Sequence, residues 1–138
     1  MKPAQNIREF WRPVMWLFDN LDNSKWDTWV AERFPEWKDR IWAEARKRFT
    51  EDAQEAGRRK LPLVLDEGGF FCPPRLSKFE LSPEGLSLLD YFADLAVEHD
   101  YWGFMPGTYC GPEHLIWTEN PQWLRQINEK FQKGNVLK

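Results

Sequence analysis

The sequence predicts an α/β fold with a parallel sheet. Three observations carry this. A short apolar run is followed by a helical pattern three times along the chain. The clearest run, residues 61–65, is continuously apolar, as in a strand buried on both faces of a parallel sheet. Carboxylates, amides and aromatics collect directly behind the runs, where the carboxyl ends of strands place function in such folds.

The first run, Pro-Val-Met-Trp-Leu-Phe at 13–18, predicts a short buried strand that ends in a polar loop holding Asp19, Asn20 and Asp22. Ser24 is the expected cap of a short helix with Trp26, Trp29, Val30 and Phe34. Pro35 then fits the start of a second helix, where its missing N–H costs nothing. In that helix Trp37, Ile41, Ala45, Phe49, Ala53 and Ala56 share one face, and Gly57 is the expected stop. The basic run Arg58-Arg59-Lys60 fits a solvated helix end.

The second strand is 61–65, followed by Asp66-Glu67-Gly68-Gly69 and a long loop. Ser82 and Pro83 open a helix whose inner face is Leu88, Leu89, Phe92, Leu95 and Ala96. The third strand is 101–105, and a loop rich in Gly, Pro and Tyr follows. Asn120 and Pro121 open the last helix, with Leu124, Ile127 and Phe131 facing inward. Gly134 and Asn135 mark its frayed end. No segment reads as a linker, so residues 1–138 form one unit.

Composition narrows the function classes. The net charge of −3 disfavours a nucleic-acid partner. The apolar runs are too short for a bilayer, and no apolar signal core follows the N-terminus, which leaves the compartment open. Nine Trp, three Tyr and ten Phe are an excess that serves core packing or stacking on flat ligands such as sugar rings. Cys72 and Cys110 lack metal-ligand spacing and are expected as free thiols, although a pair is open to them. His99 and His114 are the only histidines, which leaves a His-based metal site or a Cys–His dyad open with weak support. The sequence gives no sign of a required metal or organic cofactor.

Glu67 is the leading catalytic candidate. It ends an apolar strand and precedes two glycines, which let the backbone turn and free the carboxylate. A structural role, capping the turn or pairing with Arg75, competes with that reading. Trp102 is open to core packing or to stacking on a ligand.

Val-Leu-Asp-Glu-Gly-Gly at 64–69 resembles the seventh strand of the clan A glycoside hydrolases, including cellulase-like families. Tyr-Trp-Gly-Phe-Met-Pro at 101–106 is similar to their eighth strand, and 120–128 to their closing helix. The resemblance covers residues 60–132 and implies a partial (β/α)8 barrel, about three βα units matching the sixth to eighth strands. It also implies that Glu67 is the nucleophile of a retaining enzyme acting on a β-linked polysaccharide or glycoside. Trp102 becomes the sugar platform. Tyr109 and Glu113 become hydroxyl contacts, and Trp16 and Asp19 line the other side of the cleft. The clan's acid/base Glu, which follows an Asn on the fourth strand, has no counterpart in this sequence, so the chain alone is expected to be inactive. The expected partners are an oligo- or polysaccharide and either the missing barrel portion or a second copy, joined through open sheet edges. The alternative is a non-catalytic carbohydrate-binding or interaction domain.

Overall fold

The computed structural model describes residues 12, 13, 16, 20–68, 77–106 and 115–134. Helix α1 is Asn23–Arg59, strand β1 Val64–Gly68, a 3-10 turn Phe79–Leu81, helix α2 Pro83–Glu98, strand β2 Gly103–Pro106, helix α3 Leu115–Glu119 and helix α4 Pro121–Gly134. β1 and β2 form a parallel pair, the only sheet among the described residues. The expected three-unit segment of a (β/α)8 barrel is therefore corrected. The chain is mostly helical, and its sheet has two strands.

The first strand fails at its described positions. Arg12, Pro13, Trp16 and Asn20 are helical, and the Asn20 amide donates to the Trp16 carbonyl four residues back at 2.8 Å. The two expected helices around Pro35 are one helix, α1, with Pro35 in its interior. The proline leaves the Ala31 carbonyl without its i+4 donor. Both residues lie on the exposed side, so water meets that carbonyl. On the opposite side Val30 and Phe34 are buried against Phe79 and Leu88, and the helix continues through the proline. Its cap is Asp22, which accepts from the Lys25 N–H, rather than Ser24.

α1 runs past Gly57 and ends at Lys60, whose φ of 56° is left-handed. The Leu61 N–H donates to the Ala56 carbonyl at 3.0 Å and the Lys60 N–H to the Gly57 carbonyl at 3.2 Å. These are the two bonds of a Schellman stop. α2 ends the same way: Asp100 has φ 56°, Tyr101 N–H donates to Ala96 O at 2.9 Å, and Asp100 N–H to Val97 O at 3.2 Å. Both helices are thus turned directly into neighbouring strands. The Trp102 N–H reaches the Leu63 carbonyl at 2.7 Å and starts the pairing before either strand proper.

β1 lies three residues later than expected at its start and is covered on one side only. Leu65 packs inward, and Val64 is 57% exposed. β2 begins at Gly103 because Tyr101 leaves the line of the strand to sit in the core beside Phe49.

α2 is the centre of the packing. Leu95 and Ala96 join Ala45, Phe49 and Tyr101 on the α1 side. Leu89 and Ala93 join Ile116, Trp123 and Ile127 on the α4 side. Phe104 of β2 packs against both groups. The predicted caps hold here: Ser82 Oγ accepts from the Gly85 N–H at 3.1 Å, and Asn120 Oδ1 from the Trp123 N–H at 3.3 Å. Two carboxylates fasten the remaining elements. Asp27 accepts from the Ser77 hydroxyl and from the N–H groups of Lys78 and Phe79, at 2.9 and 3.2 Å for the latter two. Buried Glu80 accepts from the Ile116 N–H at the start of α3.

Candidate functional site

The carboxyl ends of β1 and β2 lie side by side because the strands are parallel. Their register contains an irregularity between Leu65 and Gly68, the stretch that holds Asp66 and Glu67. Val64 pairs with Gly103 and Leu65 with Phe104, yet Gly68 pairs with Pro106. From Leu65 to Gly68 β1 advances three residues while β2 advances two. The segment Asp66-Glu67 therefore carries one extra residue, a bulge next to the strand's end. Bulges re-aim side chains and are over-represented beside active sites.

Trp102 stands elsewhere. Its backbone is level with Leu63, four residues before Glu67. At about 3.3 Å per residue that is roughly 13 Å along the strand direction. The expected nucleophile and the expected platform thus occupy opposite ends of the sheet. Trp102 is not a core residue, since it is 73% exposed. Trp16 is also exposed and lies in the helical stretch before α1. Asp19, Tyr109, Glu113, Arg75, Cys72, Cys110 and His114 lie outside the described residues.

Among the described residues, grooves flank the sheet, and two of them bear on the site. One, of about 480 Å³, has Phe49, Leu65, Phe92 and Tyr101 in its floor. Arg40, Glu44, Arg48 and Asp52, spaced one helical turn apart on α1, form its rim. Burial pushes the Tyr101 hydroxyl above its usual range, and the Asp52 charge adds to the effect. This groove reaches β1 at Leu65, immediately before the bulge. The other, of about 550 Å³, runs from α1 past Leu61 and Leu63 to Trp102. His99 lines it, with Nε2 3.4 Å from Thr50 Oγ1.

Among the described residues no cluster of His, Cys, Asp and Glu is arranged to hold a metal ion. No helix among them is long and apolar enough to cross a membrane. The bulge and the buried Tyr101 were not expected from sequence. Continuous apolar character at 61–65 gives no sign of an inserted residue, and Tyr101 leaves the strand only because of the Asp100 turn. The chain matches no known family model, no curated protein and no solved structure.

Proposed function

We propose that the chain contributes to the sugar-cleaving site of a retaining glycosidase acting on a β-linked oligo- or polysaccharide, with Glu67 as the nucleophile. The observation that carries this reading is the bulge at the carboxyl end of β1, which takes Asp66 and Glu67 out of the regular ladder beside the parallel strand β2. The aromatic content and the strand-end sequence Asp-Glu-Gly-Gly support it.

In this role the carboxylate attacks the anomeric carbon, and the bond to the leaving oxygen breaks. A glycosyl ester forms on Glu67, and water then hydrolyses it. A second carboxyl group about 5–5.5 Å away protonates the leaving oxygen and later activates the water. That acid/base has no counterpart in the part of the sequence that carries the resemblance. Ordinary glycosides should therefore not turn over on this chain alone.

Activated substrates separate the two steps. A 2,4-dinitrophenolate leaves without protonation, so attack by Glu67 needs no acid. Mixing the chain with 2,4-dinitrophenyl β-glycosides should give a burst of dinitrophenolate near one equivalent, followed by slow release that azide accelerates. Release no faster than that of Glu67→Gln overturns the reading.

A further inference from the structure

The groove beside Trp102 is separated from Glu67 by the length of the sheet pairing, and it has the features of a ligand site in its own right. The Trp102 backbone is anchored between the Asp100 turn and the hydrogen bond to Leu63. The side chain is nevertheless 73% exposed, so an anchored backbone carries a largely solvent-accessible indole. α1 lines the groove with small residues, Ala53, Ala56 and Gly57, and with the polar Thr50 and Gln54. A Cβ added at Gly57 would meet nothing within 4 Å, so the groove has open space there. Its volume of about 550 Å³ is that of a small-molecule site rather than a protein interface.

The polar lining decides the ligand class. Glu98 is held by the Arg46 guanidinium through both oxygens, at 2.8 and 3.1 Å, so its charge is compensated. What remains is the Gln54 amide, the His99 imidazole and the Asp100 carboxylate, since the Thr50 hydroxyl donates to the Arg46 carbonyl at 2.8 Å. This set mixes donors and acceptors, and its carboxylate disfavours a phosphate. Beside an exposed indole it suits the hydroxyls and flat faces of a sugar.

We infer that this groove binds a neutral oligosaccharide, stacked on Trp102 and hydrogen-bonded by Gln54 and Asp100, at a site distinct from Glu67. The inference rests on the proposed function only for the class of ligand.

The test is titration of the chain with cellotetraose, xylotetraose and mannotetraose, followed by calorimetry and by amide and indole NMR shifts. At least one tetrasaccharide should bind and shift the signals of Ala53, Gln54, Asp100 and the Trp102 indole. Trp102→Ala should weaken binding about tenfold or more, because the stacking face is lost. Asp100→Asn, which keeps a residue tolerant of the left-handed turn, should weaken it less. Binding of none of the three, or Trp102→Ala binding as the unchanged chain does, overturns the site. Shifts confined to residues 66–68 also overturn it. A chain that binds through Trp102 but shows no dinitrophenolate burst keeps this site and loses the reading of Glu67. A burst without Trp102-dependent binding does the reverse.

Discussion

Lys60 and Asp100 occupy equivalent positions at two successive helix–strand junctions, each with φ 56° and each closing a Schellman pair of hydrogen bonds. Neither is glycine, although a left-handed backbone costs an ordinary residue about 1–2 kcal/mol. Asp tolerates this conformation better than Lys. Lys60→Gly should therefore stabilise the chain by up to about 1 kcal/mol after the entropy lost to the more flexible unfolded chain, and Asp100→Gly by less. Urea unfolding followed by circular dichroism checks the order. Gly57→Ala, inside α1 with open space at its Cβ, should add about 0.5–1 kcal/mol.

Gly85 responds in the opposite direction. A Cβ there would stand 2.2 Å from the Phe79 carbonyl oxygen, a backbone atom already bound by the Ser82 N–H and hydroxyl. Gly85→Ala should cost about 2 kcal/mol or more through displacement of the turn that precedes α2. A midpoint equal to that of the unchanged chain in the same urea titration would contradict the close packing.

Asp27 joins α1 to the segment before α2 through three donors. Asp27→Ala leaves the Ser77 hydroxyl, which is buried, and two backbone N–H groups without this acceptor. The expected loss is about 1–3 kcal/mol in thermal or urea unfolding, with Asp27→Asn intermediate.

The Asp22 carboxyl is held below its ordinary value of 3.8 chiefly by the Lys25 N–H that it caps. A lowered folded-state value means that the cap's contribution is present above the unfolded value and is lost as the pH falls through the folded one. Acidification below 3.8 should therefore lower the protection of the Lys25 amide, its intrinsic exchange rate at each pH divided by the observed rate. Asp22→Asn, which caps without titrating, should flatten that response.

The helices were largely legible in the sequence, and the strands less so. Ser82-Pro83 and Asn120-Pro121 cap and open their helices as their chemistry dictates. The long helix was legible too, but in its stripe rather than in its proline. Trp26, Val30, Phe34, Trp37, Ile41, Ala45 and Phe49 follow one another at steps of three or four straight through Pro35. The stripe prevails because Phe34 is buried while Pro35 faces solvent. The Pro-Val-Met-Trp-Leu-Phe run misled because a short apolar run fits a helix segment as well as a strand. The position of Glu67 at a strand end was legible. Its bulge and its distance from Trp102 were not, since both depend on how β1 and β2 register.

The most direct measurement is covalent trapping at Glu67. A 2-deoxy-2-fluoro β-glycoside with a dinitrophenyl leaving group slows breakdown of the glycosyl ester and needs no acid for its formation. Intact mass followed by peptide mapping should show one fluoroglycosyl adduct on the peptide containing Glu67, absent in Glu67→Gln. A folded chain that stays unmodified, or an adduct mapped to another carboxylate, would contradict the assignment of Glu67 as the nucleophile.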